Sequence, residues 1–514
     1  MRAVKGLSRY TAQMFIILAV LFVFCSCSDK EPKIGGNYTL TLNSAPENLD
    51  PQMASDNASF NIIRNTFATL VDIDDNGIVV PGAAQKYEVS EDGLLYTFTL
   101  REGIVWKGKG SKEKPPLTAD DYIFAIKRIY DDTTCSPYKY LFSQIENIDL
   151  IGNGSAGIYA KNARTLCIRL TAPDCDFLKK LAHPAASPCN EKLFLSTQGR
   201  YGLSAEDTYS CGAFYISEWN YDPYWTNNHV TLTRIKENSS EGYVTYPESV
   251  DMLIKPGSET DIYLSPVQIP TKKGHNVKEY VTSTATLIFN TERKFADTDV
   301  QKAVFDYITR SGLLGNEYSE NIACGYSPPC ITSVDMAAGA DTFSSVSFDS
   351  DPHALIAPHL EYDKLDYQVI LISSEYSSPD LAFAISDKLE ELEYYSTVAV
   401  CEPDEFERRF AERDFDLCIY PVKAEYNSLN SFYERLIAAA GISSPDALVY
   451  LGSMTDPSAK IGLARNFETD LYKARTALPL TYEKIYVVSD DDIYDHWYDP
   501  CTDTFFLKYM KGKA

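Results

Sequence analysis

The chain has 514 residues, 45% of them hydrophobic and 23% charged, proportions of a folded protein too long for one ordinary core, so two or three lobes are expected. Its 72 acidic against 47 basic side chains leave a net charge of −25. A surface so acidic repels phosphate backbones and anionic headgroups, which excludes nucleic acid as a partner.

Residues 1–27 read as an export signal. Arg2, Lys5 and Arg9 form a basic start, and the apolar run Met14 to Phe24 is too short to span a bilayer comfortably. Ser26-Cys27-Ser28 resembles a bacterial lipobox, with Phe24 where Leu is usual, and implies lipidation of Cys27. Each buried methylene adds about 0.8 kcal/mol, and two acyl chains anchor stably where one does not. A plain secreted protein cut elsewhere is the alternative. Ten cysteines lie beyond Cys27, with no CxxC pair and no zinc-finger spacing. Export permits disulfides, and Cys324 with Cys330 is the local candidate, whereas a reducing habitat leaves every thiol free.

In chain order, Asn37–Leu42 alternates as a strand and leads into the turn Leu49-Asp50-Pro51 and the polar stretch Ala54–Asn57. A helix is expected from Ser59 to Leu70. Asp72–Gly77 has the first half of a calcium loop, but Ala83 stands where the bidentate glutamate belongs, so a hairpin turn is expected. After the turn Asp92-Gly93, the alternation of Leu94, Tyr96, Phe98 and Leu100 predicts a strand with one buried face. Ile104-Val105-Trp106 comes next, then a Lys/Gly/Ser/Pro loop. Thr118 and Asp121 form a capping box for a helix whose inward stripe is Tyr122, Ile123, Ile126, Ile129 and Tyr130. Further on, Thr298 and Gln301 predict a second capping box, with Val300, Ala303, Val304, Tyr307 and Ile308 on one apolar face. Tyr367–Ile372 reads as a strand covered on both sides. Helix 380–393, strand 396–401, helix 404–412 and strand 415–420 then make an α/β lobe with a largely parallel sheet.

Several of these strings resemble the extracellular solute-binding proteins of peptide-type ABC importers, the oligopeptide- and dipeptide-binding family. Its signature DG-x-x-Y-T-F-x-L-R-x-G, a loop and P-L-T-A-x-D is matched by Asp92-Gly93, Tyr96-Thr97-Phe98, Leu100-Arg101, Gly103, Pro116-Leu117-Thr118-Ala119 and Asp121, with Phe124 and Arg128 in register. Leu49-Asp50-Pro51 resembles the family's L-D-P turn, and Ala285–Thr291 the strand on which the chain crosses between lobes. The resemblance implies an α/β, two-lobed periplasmic-binding-protein-like clamshell of the large peptide-binding type, with an inserted subdomain in the first lobe. Residues 1–26 would be a lipoprotein signal peptide and 27–36 a tether. Lobe I would comprise 37–64, 196–283 and 485–514, the inserted subdomain 65–195, and lobe II 284–484. The chain departs from the family at Val250–Val267, which leaves no room for the helix usual there.

Enzyme motifs such as HExxH, GxSxG, a P-loop or GxGxxG are absent from the sequence, so no catalytic residue and no cofactor are expected. His353 and His359 lie too far round a helix to share a metal, and no metal site is expected. Ala424-Glu425-Tyr426-Asn427 is similar to an A-D-Y-N segment that, in oligopeptide-binding members, places a carboxylate against the ligand's terminal ammonium. The resemblance therefore implies ligand contacts from Glu425, Tyr426 and Asn427, from Ser55, Asp56 and Asn57 across the cleft, and from Tyr138 and Tyr482 along its walls. Read without it, Glu425 is equally a solvated loop acid. The family likeness further implies a monomeric receptor on the outer face of the cytoplasmic membrane, delivering short peptides to an ABC permease and its ATPase. A nickel chelate, haem or oligosaccharide as ligand, or a signalling lipoprotein, are the alternatives.

Overall fold

The computed structural model describes residues 34–512 except 75, 222–227, 241–242, 255–259, 269–273, 314–321, 332–342, 344–345, 347–349, 361–366, 375–378, 444–445 and 455. Cys27 and the export signal lie outside the described residues. The alternation after Asp92-Gly93 becomes the strand Leu95–Leu100, which buries Tyr96, Phe98 and Leu100. It belongs to a four-stranded antiparallel sheet with Ala84–Val89, Thr165–Arg169 and Ile158–Asn162. Helix Ala119–Tyr130 packs on this sheet, and its capping box forms as the sequence predicts. Asp121 Oδ2 accepts from Thr118 N at 2.8 Å and from Trp106 Nε1 at 3.1 Å, while Asn190 Nδ2 donates to Oδ1 at 2.8 Å. Burial raises this carboxyl above its usual range despite those donors.

The inward stripe of that helix differs in part from expectation. Tyr122, Ile126 and Ile129 are buried, but Ile123 and Tyr130 are only half-buried, and Ala125 and Arg128 go inside. Arg128 is drawn in by chemistry that periodicity does not report: Nη1 donates to Asp50 Oδ1 at 2.9 Å and to Gln52 Oε1 at 2.7 Å, and the guanidinium lies 4.1 Å from the Phe194 ring centroid. Two separate sequence motifs, the Leu49-Asp50-Pro51 turn and the helix ending in Arg128, are thus the halves of one buried ion pair. Gly202 lies against the same turn, with φ +80° and its carbonyl accepting from Leu49 N at 2.9 Å. A Cβ there would stand 2.3 Å from Asp50 N, so the position requires glycine.

A ten-stranded sheet runs through the molecule in the order Phe214–Asn220, His229–Arg234, Ser249–Ile254, Asn37–Leu42, Ile262–Ser265, Ala477–Asp490, His275–Phe289, Leu417–Val422, Gln368–Ser373, Ser396–Cys401. Its two longest strands, His275–Phe289 and Ala477–Asp490, are antiparallel neighbours that pass from one half of the molecule to the other. Their ladder shifts register between Val281 and Ser283 and again between Ala285 and Thr286. One apolar core gathers residues between 40 and 264 with 487–510, and the second gathers residues between 285 and 480. Tyr426 and Cys501 are exchanged, each packing in the core of the opposite half.

Several expectations are corrected. The second-half sheet is mixed: Gln368–Ser373 is parallel to both neighbours, but Leu417–Val422 runs antiparallel to His275–Phe289, because the long strand enters from the other lobe instead of through a helical crossover. The first helix spans Asn57–Thr66, not Ser59 to Leu70: Asp56 caps it, and Phe67 is extended while Thr66 O accepts from Cys211 N and Gly212 N. Asp297, not Thr298, caps helix Thr298–Arg310, accepting from Asp299 N at 2.9 Å; an Asp one residue upstream competes better for the orphan N–H groups. Tyr307 on that helix is half-buried and donates to Glu391 Oε2 at 2.5 Å. Cys324 and Cys330 are separate thiols, as are all the described cysteines; Cys324 is exposed and Cys330 turns inward. The hairpin at Asp72–Gly77 forms as expected between Val71–Ile73 and Val79–Pro81.

Candidate functional site in the interlobe cleft

Between the halves lies a cavity of about 290 Å³. The crossing strand supplies Glu279, Tyr280 and Val281, and the hairpin supplies Ile73 and Asp74. The C-terminal turn contributes Asp499 and Pro500, and the second half Pro329, Cys330 and Asn427. Polar contacts join the two halves around it. Tyr140 donates to Glu425 Oε2, and Arg435 Nη1 donates to Glu425 Oε1 at 3.2 Å from within the second half. Ser428 caps helix Leu429–Ala440, and its hydroxyl donates to Asp176 Oδ2 at 2.6 Å across the cleft, where Lys460 Nζ stands 3.6 Å from the same oxygen. Burial would lower the Lys460 ammonium, but Asp176 and Cys175 reverse it and leave it raised. Lys423 pairs with Asp503, which also accepts from Asn57 Nδ2 at 3.2 Å and Tyr498 Oη at 2.7 Å. The backbone joins in, Cys175 N donating to Gly452 O at 3.2 Å. The lobes are therefore closed on one another.

The expected ligand residues fall into two groups. Glu425, Asp56 and Tyr138 share one electrostatic neighbourhood: burial first, then Glu425 and Asp56, push the Tyr138 hydroxyl up. Tyr138 Oη donates to Ala54 O. Asp56 uses Oδ1 to cap its helix, accepting from Ser59 N at 2.7 Å, and its buried Oδ2 has no partner among the described residues. Asn427 lines the cavity and donates to Cys330 O at 3.2 Å. Ser55 and Asn57 are exposed, and Asn57 is held by Asp503. Tyr426 is a buried plug in the first core, its hydroxyl raised by burial and then by Asp176. Tyr482 lies on the second crossing strand opposite Thr284, its hydroxyl 3.5 Å from Gly325 O. Sequence reasoning missed Tyr140, Asp176, Lys460 and Asp503; one tyrosine among 36 and one acid among 72 carry no local signal, and only the folded geometry brings them to the cleft. His353 packs edge-on to Tyr307 and His359 Nδ1 sits 3.1 Å from Asp297 Oδ2, so the two histidines face different partners.

Two α/β halves joined by a pair of adjacent strands, with a polar cleft closed between them, define a two-lobed α/β clamshell. The fold has close counterparts: the ABC transporter-associated periplasmic binding protein DppA of Helicobacter pylori, solved in complex with the peptide STSA, superposes with a TM-score of 0.73 over 94% of this chain and 99% of that one, at 18% identity. Residues 79–329 match the profile of the bacterial extracellular solute-binding proteins, family 5, middle part. Among curated relatives, it is 29% identical over 306 residues to the oligopeptide-binding protein OppA of Bacillus subtilis (strain 168), covering 55% of this chain and 54% of that protein. It is 30% identical over 224 residues to the probable deoxycholate-binding periplasmic protein YgiS of Escherichia coli (strain K12), covering 40% and 41%. The matched stretches thus span about half the length of these relatives.

Proposed function

We propose that this chain is the substrate-binding component of an ABC importer, capturing short peptides between its lobes and presenting them to a membrane permease. In this reading lobe I comprises 37–64, 196–283 and 485–514, the inserted subdomain 65–195 and lobe II 284–484, and Cys27 carries a lipid that tethers a monomer outside the cytoplasmic membrane. No helix among the described residues is long and apolar enough to cross a membrane. The observation that carries the reading is the pairing of a closed interlobe cleft with two carboxylates at its Tyr138 corner: among the described residues, Asp56 has a buried oxygen without a partner and Glu425 has both oxygens only singly engaged. An ionised carboxylate offers about four acceptor sites, so Glu425 retains capacity for a ligand ammonium while Asp56 suits a backbone N–H. Main-chain pairing of this kind is indifferent to side chains and strict about backbone, which fits peptides of varied sequence.

Native mass spectrometry of protein purified from its own host tests the ligand class. Co-purifying short peptides are expected; deoxycholate, haem, a nickel chelate or sugar in their place overturns the reading. Calorimetry with tetra-alanine, free and N-acetylated, tests Glu425. The Glu425→Gln variant should bind the free peptide about tenfold more weakly and lose little further on acetylation. Equal binding of both peptides to the unaltered protein removes the ammonium role.

A further inference from the structure

We propose that Cys330 and Cys501 are a modification site: exchange with a small-molecule disulfide joins them across the cleft and locks the two lobes together. The inference holds whatever the ligand. Cys501 sits in the turn between strands Ile493–Asp499 and Thr504–Gly512, which belong to the first lobe's core, yet its side chain packs in the second core, against which Cys330 also packs, and the adjoining Pro500 lines the same cavity as Cys330. Both cysteines are held in place. Asp499 accepts from Cys501 N at 3.0 Å and from Thr502 Oγ1 at 2.7 Å. The loop carrying Cys330 is pinned by the buried Glu468 carboxylate, which accepts from Tyr326 N and Ser327 N, each at 3.0 Å, and Asn427 Nδ2 grips Cys330 O at 3.2 Å. Two cysteines held beside one cavity need little reordering to bond.

The chemistry assigns an order to the steps. Cys501 is 3% exposed, whereas Cys330 is half-buried and lines the cleft cavity. The Cys330 thiol, burial and Asp499 all push the Cys501 thiol up, with Lys423 opposing them, so Cys501 is a poor first nucleophile. The Cys330 thiolate attacks the incoming disulfide, releasing one thiol and leaving a mixed disulfide on Cys330. Closure then brings Cys501 against that sulfur. Cys501 loses its proton, forms the S–S bond and expels the second thiol. Two protein thiols are oxidised and one small disulfide is reduced to two thiols. Because the sulfurs come from different lobes, the bond forms only in the closed state and holds it.

The test uses the full chain, reduced and then treated with 2-hydroxyethyl disulfide. Peptide mapping without reductant should show Cys330 linked to Cys501 with the loss of two hydrogens. Amide hydrogen exchange across residues 138–142 and 425–431 should slow about tenfold or more and recover with dithiothreitol. Cys501→Ser should stop at the mixed disulfide on Cys330 and show no slowing, and Cys330→Ser should remain unlinked. Linkage of Cys324 to Cys330 instead, full alkylation of both thiols after the disulfide treatment, or a Cys330–Cys501 bond that leaves exchange unchanged would each overturn the proposal. None of these readouts contains a peptide ligand, so a failure of the peptide assignment leaves the outcome standing.

Discussion

His183 should make the protein acid-labile by an amount that can be worked out. Its ring is buried between Phe60, edge-on at 5.5 Å, and Tyr138 at 5.2 Å, and Nδ1 accepts from Ala185 N at 3.1 Å. That hydrogen bond fixes the neutral tautomer with its proton on Nε2. Burial, and then the Arg64 guanidinium, push the imidazole down to about 3 from an ordinary 6.5. The folded value lies below the unfolded one, so the stabilisation is fully present above about pH 6.5 and is lost as pH falls through the window down to about 3. At about 1.36 kcal/mol per unit, roughly 2 kcal/mol is gone by about pH 5 and roughly 5 kcal/mol at the lower limit. His183→Asn keeps an acceptor for Ala185 N and cannot titrate. Urea unfolding of both proteins at about pH 7 and about pH 5 isolates the histidine, because the carboxylates contribute alike to each. The variant starts lower through lost packing, but the gap should narrow by about 2 kcal/mol at the acid end. Parallel stability curves would refute the argument.

Arg128→Met should cost about 3–5 kcal/mol in unfolding experiments by stranding buried Asp50, and adding Asp50→Leu should recover much of it; a fully additive pair would contradict the coupling. Asp297→Ala should lower stability by about 1 kcal/mol while Thr298→Ala does so by less, as judged by thermal unfolding, because the cap lies at the first position. Gly202→Ala should destabilise by more than the usual surface substitution, roughly 2 kcal/mol or above, from its φ and the crowded Asp50 amide. Asp176→Asn should loosen the closed state by removing the charge that faces Lys460, seen as a larger radius of gyration in small-angle scattering; an unchanged profile would show that other contacts suffice.

Local patterns were readable where a residue's role is decided by its immediate neighbours. The Thr118/Asp121 box, the strand through Phe98 and the hairpin at Asp74 depend on spacing and turn chemistry, and each forms as expected. The failures share a cause. Arg128 and Cys330 are tied to partners 78 and 48 positions away, Asp50 and Thr282, which periodicity cannot report. The cap of helix Thr298–Arg310 slipped by one residue because two capping residues stand side by side and only backbone geometry chooses between them. In the cleft, the acid at 425 was visible, but its tie to Tyr140 was not.

The two register shifts in the crossing ribbon lie on opposite strands and cancel, one skipping Thr282 and the other Leu480, so that pairing resumes beyond them as it began. Between them lie only Ser283–Glu483, Thr284–Tyr482 and Ala285–Thr481, a short panel bounded by two kinks. Such a ribbon behaves as a leaf spring: it flexes out of its own plane, while the restored ladders on either side keep each half's sheet in alignment. Tyr482 rides on that panel, so any swing between the halves turns its ring directly.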